Sequence, residues 1–252
     1  MTKDSHSKPL IGLTTLHGRP DWVAEKTQNY RNSLEKHGAD WVILAADTPT
    51  ILPDGTTFTP DEKGRLPVEV LDHLDGLVLS GGGDVAPHYF GEEMNGANPK
   101  AIDEKRDELE LTLSEAAMNK DMPIFAICRG CQVLNVAAGG GMVQHFEGHR
   151  SWDKENPNHH GVTLKPNTKI HDILGSEDIM VNTHHHQGLS LGTLADGFVP
   201  TGMADPDTWL VESFESDAHT WIIGVQWHPE RVATLPEEQG ELWMSFVEAC
   251  RK

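Results

Sequence analysis

The sequence predicts an α/β protein built on a central, mostly parallel sheet with helices covering both faces. Three features predict it. Short, continuous apolar runs recur at residues 10–15, 41–45, 76–80 and 124–127, as expected of strands buried on both faces. Segments of helical period separate them, the alternation that produces a parallel sheet. Chemically capable residues follow directly on two of these runs, where such sheets gather their functional groups. No linker composition interrupts the 252 residues, so residues 1–252 are expected to form one domain.

Taken in order, residues 10–15 form the first buried strand. Residues 21–37 carry a helical pattern that Gly38 stops. Residues 41–45 are the second strand, and residues 46–66, rich in Pro, Gly, Thr and Asp, read as a long loop. A short helix starts near Pro67, a residue suited to a first helical turn because no N–H is needed there. Residues 76–80 form the third strand and run straight into Gly81-Gly82-Gly83. Residues 104–119 place Leu109, Leu113, Ala116 and Ala117 on a helical stripe, and residues 124–127 are the fourth strand. The second half is less regular. Residues 145–160 are polar and rich in histidine and read as a loop, with His159 and His160 solvated. Residues 209–215 and 221–226 read as paired strands around a turn at 216–219, and residues 237–250 as a closing helix. Gly139-Gly140-Gly141 follows a helix and reads as its C-terminal turn.

Composition narrows the function. Twenty basic against 39 acidic residues give a formal charge of −19, which repels phosphate backbones and anionic membranes. Neither a nucleic-acid nor a membrane partner is expected. The first ten residues lack the apolar core of a signal peptide and no run approaches a transmembrane length, so the default expectation is a soluble cytoplasmic protein. Three cysteines cannot all pair within the chain. Cys128 and Cys131 form a C-x-x-C, a spacing open to redox or zinc use, although no second such pair exists.

Cys128 is the most informative residue. It stands between the apolar run 124–127 and a helical pattern through Val133, Leu134 and Val136, with Gly130 two residues on. That is strand, sharp turn, helix, with a thiol at the corner and at a helix N-terminus, a setting that favours a reactive cysteine. Such a nucleophile needs a base and the base an orienting carboxylate, and His228 and Glu230 of Gln-Trp-His-Pro-Glu follow the end of another apolar run. Gly81–Gly83 reads either as a tight turn or as a loop lending a backbone N–H to an oxyanion hole, since glycines permit positive φ and close backbone approach. Three consecutive histidines, His184–His186, cannot point the same way on a regular element, so a polar pocket rim is favoured over a metal site. Arg106, Asp107 and Glu110 read as a charged helix face with an i, i+4 pair, or as a brace for the active-site edge.

With these segments in view, the chain resembles the class I glutamine amidotransferase-like superfamily, and within it the γ-glutamyl-γ-aminobutyrate hydrolase (PuuD-like, peptidase C26) family. The resemblance rests on residues 81–92, 106–110, 125–130, 181–187 and 225–230. It implies a flavodoxin-like three-layer sandwich. It further implies a Cys128–His228–Glu230 triad, an oxyanion hole from the backbone N–H groups of Gly82 and Arg129, and substrate contacts from Gly83, Gln132, His185 and Gln187. The implied activity is hydrolysis of a γ-glutamyl amide, γ-glutamyl-γ-aminobutyrate above all, with no metal or organic cofactor and with a homodimer as the family expectation. The alternatives are a glutaminase component feeding ammonia to a separate synthase, and a non-enzymatic binding or stress protein. Two departures bear on substrate identity: His184 stands where the family has an aromatic or aliphatic residue, and residues 46–66 are longer and more polar than usual.

Overall fold

The computed structural model describes residues 8–16, 18–151, 153 and 157–251. In order, its elements are β1 (Leu10–Thr14), α1 (Pro20–Lys36), β2 (Asp40–Leu44), β3 (Thr50–Ile51), β4 (Thr57–Phe58), β5 (Gly76–Leu79), α2 (Glu104–Asn119), β6 (Ile124–Ile127), α3 (Arg129–Ala137), β7 (His159–Leu164), α4 (Lys169–Leu174), β8 (Asp178–Asn182), β9 (Leu189–Ser190), β10 (Val199–Asp205), β11 (Leu210–Glu215), β12 (Ile222–Val225) and α5 (Gly240–Ala249). Ten strands form one sheet in the order β2-β1-β5-β6-β12-β11-β10-β7-β8, with β9 paired to β11. From β2 to β12 every neighbour is parallel; beyond β12 every neighbour is antiparallel.

The period of two along each strand sorts the core into two layers. Leu77 and Leu79 of β5 and Ile124 and Ala126 of β6 face Leu109, Leu113 and Leu134 of α2 and α3. Val78, Phe125 and Ile127 turn the other way, onto Leu34 of α1 and Trp243 and Phe246 of α5. Strands buried on both faces read as continuous apolar runs, which is why the parallel half is visible in the sequence. The hairpin β11–β12 joins that half to the antiparallel one.

Three expectations need correction. Residues 46–66 are not structureless, since β3 and β4 pair antiparallel within them. The stretch 145–160 ends in β7, which places His160 on a strand with its ring nearly buried, so it is not solvated; Trp152 and residues 154–156 of that stretch lie outside the described residues. Finally, β7, α4, β8 and β10 escape the pattern because histidine, glycine and proline dilute their apolar periodicity. The short helix after Pro67 is a 3₁₀ turn over Val68–His73. Among the described residues no helix is long and apolar enough to cross a membrane.

The parallel strands β1, β5, β6 and β12 all end on one edge of the sheet. That edge carries Thr15, Ser80–Gly82, Cys128 and His228. Close packing beneath it depends on Gly130: a Cβ there would stand 2.1 Å from the Leu79 carbonyl oxygen of β5. Gly130→Ala is expected to push α3 off the sheet and to lose at least about 1–3 kcal/mol of stability, read as a lowered urea midpoint.

Candidate active site

Cys128 occupies the corner between β6 and α3 with φ +53° and ψ −111°, a conformation that non-glycine residues rarely adopt. Its N–H donates to the Val225 carbonyl (2.8 Å), and its own carbonyl accepts from Cys131 N (3.0 Å). The strained residue is therefore fixed on both sides. Cys131 lies buried in α3 with its sulfur 3.8 Å from Gln226 Oε1, as a packing residue.

His228 follows β12 and is held by Asn182 at the end of β8. The Asn182 side chain accepts from the His228 N–H (2.9 Å) and donates to its carbonyl (3.1 Å). His228 Nδ1 meets Glu230 Oε1 at 2.6 Å. Burial alone would lower the His228 pKa, but the charges of Glu230 and Cys128 and hydrogen bonds to both outweigh it and raise it to about 9. Burial likewise opposes the charge on Glu230, yet the attraction of His228 keeps its carboxyl below the usual range. Cys128, His228 and Glu230 thus share one buried edge of one cavity.

The glycine loop works by close approach and not by positive φ, correcting one part of the sequence reading. A Cβ on Gly82 would stand 2.2 Å from Arg106 Nη1, and one on Gly83 2.2 Å from the Ala101 carbonyl oxygen. Arg106 donates from Nη2 to the carbonyls of Ser80 (2.9 Å) and Gly81 (3.1 Å), and Tyr30 Oη accepts from the Gly81 N–H (3.0 Å). These contacts fix the peptide planes that lead into Gly82.

Arg106, Asp107 and Glu110 are fully buried and do not form a charged surface face. The i, i+4 pair exists, with Arg106 Nε 2.8 Å from Glu110 Oε1, but it belongs to a larger network. Arg129 places one guanidinium nitrogen on Glu110 and another on Asp107, and Thr14 donates to Glu110 (2.6 Å). Burial raises both carboxyls. Glu110, facing two arginines, still ends below its ordinary value, whereas Asp107, with Arg129 alone, ends above it. The brace reading is the one the geometry supports.

Two cavities meet at Cys128. The wider, about 320 Å³, is lined by Lys26, Tyr30, His228, Glu230 and Arg231 among others. The narrower, about 110 Å³, is lined by Gly82, Gly83, Arg129, Gln132, His185 and Gln187, so every residue expected at an oxyanion hole or substrate contact reaches its wall. Gln132 Nε2 is engaged by the Gln187 carbonyl and Gln226 Oε1, and His185 turns its nitrogens to the Gln187 carbonyl and Glu212, so both shape the wall from behind. His184 lines both cavities and packs edge-on against His228, with ring centroids 5.5 Å apart. Burial, then the charge of Arg231, lowers its pKa to about 4, so near neutrality it serves as an uncharged ring. Sequence reasoning missed Tyr30 and Asn182. Only the Asn182 position, inside the 181–187 motif, offered a signal.

The network supplies a stability test. Glu110→Ala leaves two buried guanidiniums facing each other and is expected to cost about 3–5 kcal/mol, measured by denaturant unfolding.

Comparison with known proteins establishes the family and the fold. The peptidase C26 family model matches residues 9–230. A putative glutamine amidotransferase of Schizosaccharomyces pombe is 39% identical, covering 82% of this chain and 78% of its own. The γ-glutamyl-γ-aminobutyrate hydrolase PuuD of Escherichia coli K12 is 30% identical, covering 97% and 94%. Among solved structures, the glutaminase domain of Trypanosoma brucei CTPS with bound acivicin superposes with a TM-score of 0.65 at 14% identity, covering 96% of this chain and 93% of that one. A glutamine amidotransferase from Thermotoga maritima gives 0.54 at 14%, covering 89% and 77%. The fold is that of the class I glutamine amidotransferases, and the chain belongs to the peptidase C26 family of glutamine amidotransferase-like hydrolases.

Proposed function

We propose that this protein hydrolyses γ-glutamyl amides through a thioester on Cys128, with γ-glutamyl-γ-aminobutyrate as its substrate in polyamine breakdown. One observation carries the reading: a strained cysteine elbow, the His228–Glu230 pair and the amides of Gly82 and Arg129 converge where two cavities meet. Neither amide donates to an acceptor among the described residues, which suits them to receive a developing oxyanion.

The thiol proton passes to His228, and the sulfur attacks the γ-carbonyl carbon. The carbonyl electron pair moves onto oxygen, where the two amides hold it; one such donor is worth about 10²–10³ in rate. As the C–N bond breaks, His228 gives its proton to the departing nitrogen, and the free amine leaves a γ-glutamyl thioester behind. Water then attacks the thioester, with His228 taking a proton from it. The C–S bond breaks, the sulfur recovers that proton, and glutamate departs. Glu230 stays ionised throughout and keeps the imidazole oriented.

The narrow cavity suits the glutamyl head and the wide one the leaving amine. Lys26 and Arg231 line the wide cavity in a chain of net charge −19. Local positive charge favours an amine that carries a carboxylate, as γ-aminobutyrate does, over ammonia or a diamine. The relationship to PuuD supports the same choice. The glutaminase reading draws support from the S. pombe relative and from the structural neighbours.

A hydrolysis panel separates the two. The expected order is γ-glutamyl-γ-aminobutyrate ahead of γ-glutamyl-putrescine and glutamine, with turnover abolished in Cys128→Ala and a γ-glutamyl adduct on Cys128 by intact mass. Glutamine turnover that appears only beside a synthase would sink the proposal. The pH profile follows from His228. Its pKa is held above the unfolded value, so its ionic contribution is complete below about pH 6.5 and is lost as pH rises through about 9. Protonated His228 is the acid that the departing amine needs, so the rate is expected to fall on an alkaline limb near pH 9. In Glu230→Gln that limb moves to lower pH and kcat drops by about 10²–10⁴.

A further inference from the structure

Behind the narrow cavity, outside the triad, lies a second constellation: His149, His160, His185 and Glu212. Glu212 is on β11, His160 on β7 and His185 in the 183–187 loop, so residues far apart in sequence converge on one carboxylate. Glu212 is fully buried and the three rings nearly so. From Glu212 Oε1, His160 Nε2 stands at 3.2 Å, His185 Nε2 at 3.5 Å and His149 Nδ1 at 3.8 Å. Donor atoms of His149, His160 and Glu212 all lie within 4.8 Å of one another.

The atoms are close, yet no well-formed hydrogen bond joins them. His149 Nδ1, both nitrogens of His160, His185 Nε2 and both Glu212 oxygens are buried with no hydrogen-bond partner among the described residues. Buried polar groups are seldom left in that state, and here six atoms are. The outer sides of two rings are satisfied. His149 Nε2 meets Asp207 Oδ2 at 3.1 Å, and His185 Nδ1 meets the Gln187 carbonyl at 3.0 Å. A carbonyl and a carboxylate only accept, so each of those outer nitrogens carries the proton. With the outer proton in place, the inner nitrogen of each ring reaches the Glu212 carboxylate with no hydrogen bond formed between them. A lone pair facing a carboxylate at this range is repelled until a proton or a metal cation lies between them, and a metal cation serves all the converging atoms at once.

We propose that this cluster is a zinc site, with His149, His160 and Glu212 as its core ligands and His185 Nε2, 3.5 Å from Glu212 Oε1, closing the fourth position. Zn–N and Zn–O bonds of about 2.0–2.2 Å place tetrahedral ligands about 3.3 Å apart, and the three histidine nitrogens stand 3.2, 3.5 and 3.8 Å from Glu212 Oε1. An outer N–H bound to a carboxylate or a carbonyl is the arrangement that orients metal-binding histidines. Four protein ligands leave no open position, so the ion is structural. It ties the segment bearing Arg150 and Ser151 to the loop bearing His184 and Gln187, and so holds walls of both cavities. Two hydrogen bonds to the His149 carbonyl, from His185 N (3.1 Å) and Thr183 Oγ1 (2.7 Å), already join those segments. Of the His184–His186 run, only His185 takes part.

The test is metal binding by the tag-free full chain, independent of turnover. Chelator-treated protein, shown folded by circular dichroism, is titrated with Co²⁺ and separately with Zn²⁺, and metal content is read by mass spectrometry after gel filtration. The expected result is one ion per chain and the intense visible bands of four-coordinate Co²⁺, displaced by Zn²⁺. His160→Ala and Glu212→Gln are expected to lose stoichiometric uptake. Asp207→Asn, at a half-exposed position that does not threaten the fold, is expected to weaken binding by about 10–100-fold. Folded wild type that takes up no ion, a pale six-coordinate spectrum, or Asp207→Asn binding as tightly as wild type would each overturn the proposal.

Discussion

Arg129 follows the strained cysteine directly, and its guanidinium is buried between Asp107 and Glu110 of α2. Withdrawing these charges from water is costly, and the cost is met only while every partner stays in place. The network therefore permits very few arrangements. It fixes the first turn of α3 against α2, and Cys128 is tied to that turn through its own carbonyl. Arg106 extends the same network to the carbonyls of Ser80 and Gly81. A single set of buried charges thus positions both Cys128 and the glycine loop opposite it. Backbone strain at Cys128 persists because its surroundings over-determine it.

Much of this was legible in the sequence, for a physical reason. Parallel strands buried on both faces leave uninterrupted apolar runs, and their C-terminal ends lie side by side, so Cys128 and Gly82 could be placed together from their positions, while His228 joined them through the base that a cysteine needs. The antiparallel half left no such trace. In β7 and β10, histidine, glycine and proline interrupt the apolar period. The charged triplet of α2 misled because charge usually marks a wet face, and only the partner Arg129, 19 residues beyond Glu110, makes its burial tolerable. Tyr30 was invisible because it contributes one hydroxyl from the middle of an otherwise ordinary helix.

The two halves of the sheet divide the labour. The parallel half carries the sulfur, the glycine loop and the imidazole, all at strand ends. The antiparallel half supplies Asn182, which grips both backbone polar groups of His228, and the 183–187 loop that walls the narrow cavity. The buried polar atoms without hydrogen-bond partners around Glu212 lie in this second half.

The unequal cavities on either side of Cys128 have a kinetic consequence. On the thioester reading, the narrow chamber stays filled by the acyl group while the wide one empties. The amine departs through the same space by which water must arrive. Any second amine that enters first takes the acyl group in place of water, and the γ-glutamyl unit is handed on instead of being released. The balance between hydrolysis and transfer is then governed by how freely solvent refills a chamber of about 320 Å³.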